Sequence, residues 1–448
     1  MPKSVRTAMT CLYLNGLPLI VGLTSNHVRI CEPRSEIIRH TIGHLWECSL
    51  ENDVVVIGAG PAGLLAAREA ALRGCSVLVL EEHKEVGRPD HCAGLLSTSG
   101  LATLGLRPPS SVIQNHVKGA RIHSPSGHSI LIERGQREAL VVDRALFDQW
   151  LAERATDAGA VVRVEAHVSR LLKRGRAVAG VRLRDGTEMP SRLVIDGEGS
   201  RGVLVREAGL LPVPKRNRLP AYQVEVRGAN VDEEVVQMFY GRRVAPGFFA
   251  WIIPLGDGRA RVGVAAKSRA RQRLLWAMKH HPPMRTRLEQ ATIERGYGGV
   301  VLVGMPIPRT VTHGMLVVGD AAGIVKATTG GGVIIGGGAA IIAGRVATKA
   351  TRSADLSLKT LAEYEHSWRA LYIRDLRAMY VVQRLLAALT DRGMDELVAS
   401  VDELGLVSVV RQSGDMDRQG RVIAQLLRNP KSYLAALRAI GHVNLAQL

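Results

Sequence analysis

Val54 to Ile57 is an unbroken apolar run, which is how a strand buried on both faces appears in a sequence. Gly58-Ala59-Gly60-Pro61-Ala62-Gly63 follows, then an alanine-rich helical pattern to about Arg73 and a second apolar run over Ser76–Leu80 that ends at Glu81. The order predicts a complete strand–helix–strand unit. From about Lys118 to Val142 polarity alternates with period two, in Ala120-Arg121-Ile122 and Ser129–Ile132, across a turn at Ser124-Pro125-Ser126-Gly127. Arg144–Ala158 has helical spacing, and strands return at Val161–Val164 and at Leu193-Val194-Ile195, the latter running into Asp196-Gly197. Tyr222–Ala266 is rich in strand patterns with a turn at Gly256-Asp257-Gly258, which predicts an antiparallel sheet inserted into an α/β domain. A further buried strand, Met315–Val318, meets Gly319-Asp320 and a glycine-rich run. Asp355 to Leu448 predicts amphipathic helices, the longest over Leu361–Ala388, with breaks at Gly393, Gly405, Gly414 and Asn429-Pro430.

These patterns divide the 448 residues into a discontinuous dinucleotide-binding domain (51–117 with 140–215 and 300–350), a substrate sheet domain (118–139 with 216–299) and a helical region (351–448). Residues 1–50 are expected to be an extension, disordered or outside the fold. Lys3 and Arg6 precede an apolar stretch there, but Asn15, Gly16 and Pro18 interrupt it and no small-residue cleavage site follows. The uncharged stretch Ala327–Gly344 contains seven glycines, a composition that predicts a buried helix rather than a transmembrane span.

Composition narrows the partners. Lys and Arg number 59 against 41 Asp and Glu, a net charge of +18, and only 11 of the cations are lysine. Residues 1–50 and 351–448 carry +2 each, so the excess belongs to the folded body, with +7 between Lys267 and Arg309. A basic face of this kind suits nucleic acid, an anionic membrane surface or a phosphorylated substrate. Aromatics make up 4% of the chain and are not interleaved with basic runs, so no nucleic-acid partner is expected. The five cysteines form no CxxC pair, which predicts no disulfide framework, no metal site and a reducing, cytoplasmic setting.

Gly58-x-Gly60-x-x-Gly63 between a strand and a helix is the dinucleotide fingerprint in its required context. Its glycines allow a tight turn, close approach to a pyrophosphate and helix–strand contact, while the helix N-terminus offers N–H groups and partial positive charge. Glu81 is placed to accept from an adenosine ribose, and an acid there disfavours a 2′-phosphate, leaving FAD or NAD. Asp320 at the later strand end suits the ribityl hydroxyls of a flavin, with the following helix N-terminus facing the ring carbonyl. Asp320 equally suits a helix cap, and Arg144 suits a flavin contact, a cap or a salt bridge. The glycine surplus, 47 residues, thereby acquires two addresses, Gly58–Gly63 and Gly319–Gly338, each expected to approach a flavin nucleotide.

Asp53–Glu81, Gly87-Arg88-Pro89-Asp90-His91-Cys92-Ala93-Gly94, Val142-Asp143-Arg144, Asp196-Gly197 and Gly319-Asp320 together resemble the FAD-dependent geranylgeranyl reductase family. That family is similar to the hydroxylase-type flavoproteins, and the resemblance, over about residues 52–400, is closest to its archaeal digeranylgeranylglycerophospholipid-reducing members. It implies an α/β (α+β) fold with a Rossmann-type FAD domain, an inserted antiparallel substrate domain and C-terminal helices. It also implies cofactor contacts at Gly58, Gly60, Ala62, Gly63, Glu81, Glu82, Arg88, Cys92, Ala93, Arg144, Asp320, Gly332 and Val333. The family's PxxYxWxFP signature resembles Pro246-Gly247-Phe248-Phe249-Ala250-Trp251-Ile252-Ile253-Pro254, with Phe249 in place of the tyrosine and Ile253 in place of the phenylalanine. Phe248, Phe249, Trp251 and Pro254 are the substrate-channel residues so implied. Cys92 resembles a substrate-site residue of the family; chemically its thiol either donates a proton or fills space.

The implied reaction is hydride transfer from reduced FAD to an isolated C=C bond of a polyprenyl lipid, with NADH, NADPH or ferredoxin as the external reductant. The implied location is peripheral on a membrane without a transmembrane helix; by its charge the Lys267–Arg309 segment suits lipid phosphate, an anionic bilayer or a solvated helical face. A flavin monooxygenase of the same fold and a nucleic-acid-associated flavoprotein are the alternatives.

Overall fold

The apolar run after Asn52 lies at the middle of a parallel sheet. In a computed structural model of the chain, residues 8–14, 17–24, 27–30, 52–90 and 92–443 are described. Five parallel strands stand in the order Val161–Arg163, Val77–Leu80, Asn52–Ile57, Glu188–Asp196 and Met315–Val317. Val54, Val55 and Val56 have no exposed surface, as a strand covered by helices on both faces requires. Strands Val168–Arg174 and Ala177–Leu183 extend the sheet as an antiparallel meander into Glu188–Asp196.

Helix Pro61–Leu72 packs on this sheet beside helix Val333–Arg352. The second of these is 20 residues long and, at a mean hydropathy of 1.4, apolar enough to cross a membrane by length and composition; two thirds of it is buried within the fold. The expectation that every glycine up to Gly338 approaches a flavin fails inside this helix. A Cβ on Gly337 would lie 2.7 Å from Leu65 Cδ1, and one on Gly338 would strike the Tyr372 hydroxyl. Farther along, a Cβ on Gly344 would lie 2.5 Å from the Ala66 carbonyl oxygen. Gly344 lets two helices of the core touch backbone to backbone, while Gly337 and Gly338 make room for the side chains of Leu65 and Tyr372.

The second large sheet has seven strands, in the order Thr292–Leu302, Arg218–Arg227, Arg259–Ala265, Ala250–Gly256, Val235–Phe239, Gly119–His123 and Ser129–Glu133. It is antiparallel except where Val235–Phe239 runs parallel to Gly119–His123. Those two strands belong to separate excursions of the chain, so no hairpin constrains their direction. Alternation along Ala250–Gly256 sends Ala250 and Ile252 to a core shared with Leu274 and Ala277 of helix Ala270–His280. The same alternation sends Trp251 and Ile253 to the opposite face.

Helix Leu358–Ala388 clamps the parallel sheet from the C-terminal side. Tyr364 Oη donates to the Val317 carbonyl at 2.7 Å and Trp368 Nε1 donates to Thr310 Oγ1 at 3.0 Å, both side chains fully buried. Helices Asp391–Glu403, Leu406–Ser413, Gln419–Arg428 and Pro430–Ile440 follow. Gly393 does not break them: it lies in the first turn of a helix capped by Thr390 Oγ1. A Cβ there would lie 3.1 Å from the Ala439 carbonyl oxygen, so close helix packing explains the glycine. By itself, the N-terminal unit holds three antiparallel strands, Ala8–Leu14, Leu17–Thr24 and His27–Ile30.

Two outcomes follow from the packing. Gly344→Val forces helices Pro61–Leu72 and Val333–Arg352 apart and is expected to lower stability by about 2 kcal/mol, read from the denaturant midpoint at unchanged slope. His123 stacks on Phe239 at 4.7 Å, with His281 edge-on to the same ring at 5.7 Å. Burial, with Arg287 and Arg121 nearby, pushes His123 down from 6.5 to about 4 against the opposing hydrogen bond to Gln237. The unfolded chain then binds the extra proton between those values, so stability is flat above about pH 6.5 and falls as the pH drops toward 4. A loss on the order of 1 kcal/mol by pH 5.5, reduced in His123→Asn, is the expected readout from thermal unfolding.

Candidate active site

The cradle forms where strand Asn52–Ile57 meets helix Pro61–Leu72. Gly58 has φ +87°, and a Cβ on it would lie 2.5 Å from the Gly197 carbonyl oxygen. A Cβ on Gly63 would strike the Gly58 carbonyl oxygen, so Gly63 serves strand–helix contact and Gly58 the close approach of two strand ends. Gly60 differs: a Cβ there meets no protein atom within 4 Å. Its free side is the cavity. No side chain caps the helix and its first turn holds no acid, so the N–H groups and the positive end of the helix dipole are left for an anion.

Glu81 closes one side of the cradle. Its Oε2 accepts from the Ala59 N–H at 2.8 Å and retains lone-pair capacity for a hydroxyl donor, while its Oε1 meets both the His83 N–H at 3.0 Å and His83 Nδ1 at 2.6 Å. Glu82 lies 2.7 Å from His167 Nδ1 and 2.9 Å from Arg201 Nη1. Burial pushes its carboxyl up, but the charges of Arg201 and His83 and the two hydrogen bonds hold it below the usual range.

From this cradle a cavity of about 1150 Å³ runs toward the seven-stranded sheet. Asp320 faces it, and its carboxylate has no protein donor among the described residues. Burial pushes its pKa up, with Arg144 opposing. A Cβ on Gly332 would lie 2.9 Å from Asp320 Oδ1, which leaves room for no side chain where helix Val333–Arg352 begins. That helix start also lacks a side-chain cap and an acid in its first turn. Arg144 opens helix Arg144–Asp157 and grips Asp148, with Nε–Oδ1 at 3.1 Å and Nη2–Oδ2 at 2.9 Å. Burial disfavours its charge, but Asp148, with Cys92 and Asp90 nearby, more than restores it. Of the roles left open for Arg144, the salt bridge is formed, and the side chain still lines the cavity. Arg88 lines it from an exposed position.

Cys92 stands where the cavity passes from the cradle to the sheet. Its N–H donates to Asp90 Oδ1 at 3.1 Å, its carbonyl accepts from Gln223 Nε2 at 3.2 Å, and the neighbouring Ala93 carbonyl accepts from Arg261 Nη1 at 3.1 Å. Arg261 is fully buried and also bonds Glu225 (3.0 Å), the Val142 carbonyl (2.9 Å) and Gln114 Oε1 (2.7 Å). Burial pushes the Glu225 carboxyl up, but Arg295 and Arg261 together hold it below the usual range. Gln223 Oε1 accepts from Trp251 Nε1 at 2.8 Å, which ties the indole to the Cys92 backbone through one side chain. Phe248 and Phe249 stack at 4.2 Å and Phe249 meets Trp251 edge-on at 6.0 Å, so the three rings form a continuous wall. The same cavity is also lined by apolar Val236, Met238, Leu386, Val422 and Ile423, and by polar Arg134, Glu138, Asp417 and Gln419.

A family model described as Lycopene cyclase protein matches residues 53–399. Digeranylgeranylglycerophospholipid reductase 2 of Methanothermobacter thermautotrophicus is 34% identical over 404 residues, covering 88% of this chain and 100% of that protein. The digeranylgeranylglycerophospholipid reductase of Methanocaldococcus jannaschii is 33% identical over 359 residues, 78% of this chain and 90% of its own length. The chain belongs to the digeranylgeranylglycerophospholipid reductase family. A solved geranylgeranyl bacteriochlorophyll reductase-like protein from Thermoplasma acidophilum superposes on this family member with a TM-score of 0.76 at 28% identity, covering 84% of this chain and 99% of that one. A halogenase solved in complex with FAD, at 15% identity, TM-score 0.64 and 87% and 94% coverage, shares the fold.

In this reductase, all the cofactor residues expected from the sequence line the one cavity, from Gly58, Gly60, Ala62 and Gly63 to Ala93, Gly332 and Val333. Phe248, Phe249 and Trp251 line it too. Pro254 does not. The alternation that turns Trp251 and Ile253 inward turns Pro254 away, and its carbonyl accepts from Asn115 Nδ2 at 3.1 Å. Ile253 takes the wall position. Sequence reasoning missed Arg261, Glu225, Gln223 and Tyr297. A signal existed: Arg261 interrupts an otherwise apolar inward row, but its partner emerges only once the register sets Glu225 opposite it.

The cradle fits a dinucleotide, because the space at Gly60 is open while the carboxylate of Asp320 lacks a donor. Gly60→Val is therefore expected to leave unfolding of the apoprotein within about 0.5 kcal/mol of the parent while lowering FAD affinity at least about tenfold. Gly63→Ala should instead lower stability by about 2 kcal/mol, because its Cβ strikes backbone. Flavin titration alongside thermal melts separates the two.

Proposed function

We propose that the protein is an FAD-dependent reductase that saturates isolated C=C bonds of geranylgeranyl chains in archaeal-type membrane phospholipid synthesis. One observation carries this reading: a single cavity begins at a dinucleotide cradle, passes Cys92 and continues as an aromatic and then aliphatic channel. The family relationship supports the same reading. Gly60 and the start of helix Pro61–Leu72 hold the pyrophosphate, Glu81 the ribose and Asp320 the ribityl hydroxyls, with Arg144 and the start of helix Val333–Arg352 beside the ring. Bound FAD in its reduced form supplies hydride to one alkene carbon.

An isolated alkene carries no carbonyl for the protein to polarise, so the contribution of the chain is position and dryness. Trp251, Phe249 and Phe248 hold the polyprenyl segment flat against the loop of Cys92. The Cys92 thiol gives a proton to the second alkene carbon, and the nearby charge of Arg144 attracts the thiolate left behind. An external donor, NADH, NADPH or reduced ferredoxin, returns the electrons. The substrate is a lipid, which places the enzyme peripherally on an anionic membrane surface on the cytoplasmic side.

The experiment is anaerobic incubation of the dithionite-reduced holoprotein with a geranylgeranylated glycerophospholipid, followed by mass spectrometry. Addition of hydrogen across the double bonds is expected; hydroxylated product formed only with oxygen would replace this reading with the monooxygenase alternative. Cys92→Ala is expected to keep its flavin absorbance and lose alkene reduction by about 100-fold or more, as the removal of a general acid does. Full activity in Cys92→Ala would sink the proton-donor role.

A further inference from the structure

Helix Pro430–Ile440 is amphipathic the wrong way round for a core helix. Its side chains packed inward are small, with Ala435 and Ala439 at 2% and 3% exposure, whereas Tyr433, Leu434 and Leu437 are 57%, 44% and 69% exposed. With Pro430 these exposed residues fall at i, i+3, i+4 and i+7, one stripe on the outer face. Leu427, 59% exposed at the end of helix Gln419–Arg428, joins the stripe, because Tyr433 Oη donates to the Leu427 carbonyl at 2.6 Å. A large apolar patch turned to solvent marks a surface that is covered in use.

Charge indicates what covers it. Residues 419–440 contain four basic side chains, Arg421, Arg428, Lys431 and Arg438, and no acidic one. All four are exposed; among the described residues Arg438 pairs with Glu403 at 2.8 Å, and the charge of Arg421 acts on Asp375. A second copy of this chain, itself at +18, would oppose that surface with like charge. Arginine and lysine flanking an apolar helical stripe are the chemistry of a helix lying in the headgroup layer of an anionic bilayer. On the inner side, helix Gln419–Arg428 contributes Val422 and Ile423 to the lining of the cavity.

We propose that the Gln419–Arg428 and Pro430–Ile440 helices dock the enzyme on an anionic lipid bilayer. Leu427, Tyr433, Leu434 and Leu437 enter the boundary between headgroups and acyl chains, and Arg421, Arg428 and Lys431 meet the phosphates. The docked pair sets the channel end about one helix diameter, roughly 10 Å, from the lipid. Why an enzyme of this shape needs a bilayer there rests on the polyprenyl reading above; the docking itself is measured without it.

The test is sedimentation of the full-length holoprotein with vesicles of phosphatidylglycerol and phosphatidylcholine, compared with phosphatidylcholine alone. Binding to the anionic vesicles is expected, weakened at least about tenfold in Leu434→Ser/Leu437→Ser because two leucines no longer leave water. Arg428→Gln/Lys431→Gln should weaken it about five- to tenfold at low salt, with the difference shrinking at high salt. Melting temperature, flavin content and reduction of a short detergent-solubilised polyprenyl substrate should be unchanged in both. As an independent probe, Leu437→Trp should gain fluorescence that brominated lipids quench. Parent-like vesicle binding by the double serine variant, or an unquenched Leu437→Trp, overturns the proposal. So does a loss confined to self-association in sedimentation equilibrium, which would assign the stripe to a second copy of the chain. Vesicle binding through the stripe without any alkene reduction would overturn the functional reading and leave the docking intact.

Discussion

A guanidinium sealed from water has to be satisfied on every side, and the way Arg261 meets that demand organises the site. Its donors reach Glu225 and Gln114 and the carbonyls of Ala93 and Val142, so one buried cation binds together the seven-stranded sheet, the paired strands Ile113–Val117 and Ala139–Val142, and the loop of Cys92. Removing any one partner would leave charge or a carbonyl stranded in a dry interior. The position of Cys92 follows from this arrangement. Gln223 bonds its carbonyl and Arg261 that of Ala93, both from the sheet that carries the aromatic wall, so thiol and channel keep register with one another rather than with the flexibility of a loop.

The cradle and the channel are built by opposite means. At the cradle, side chains are removed: glycine at 58, 63 and 332 leaves no room or need for a Cβ, and Gly60 leaves a space open. At the channel, large side chains are brought together and their polar atoms are tied off, as when Trp251 donates to Gln223. Asp320 faces the cavity with a carboxylate that has no protein donor among the described residues, which suits a group that carries its own hydroxyls. A fold of this kind hosts several chemistries, as its likeness to a halogenase illustrates.

Much of this was legible in the chain. The strand–glycine–helix–strand order from Asn52 to Glu81 fixes its own geometry, because hydrophobic period and turn chemistry agree there over short range. The inserted sheet was visible as alternation between Tyr222 and Ala266. What escaped was long-range: the parallel pairing of residues 119–123 with 235–239, the partner of Arg261, and the reason for Gly337, Gly344 and Gly393. Each depends on which surface another element presents, and sequence spacing carries no record of that. Pro254 shows the same limit at one residue. Its place in a motif was evident, yet the face it occupies is set by the phase of the strand, which gives the wall to Ile253.

Lys326 bonds Asp417 at 2.6 Å and Thr328 bonds Gln419 at 2.6 Å, so the turn between helices Leu406–Ser413 and Gln419–Arg428 is latched to the glycine-rich turn beside the cradle. Met416, Val422 and Ile423 then complete the wall of the channel. In the order of synthesis, the strands and glycines of the cradle leave the ribosome long before these residues exist. The nascent protein thus passes through a stage with its nucleotide cradle made and its channel open along one side. That side is walled only once helices Leu406–Ser413 and Gln419–Arg428 have emerged, so this part of the site is assembled after its cradle.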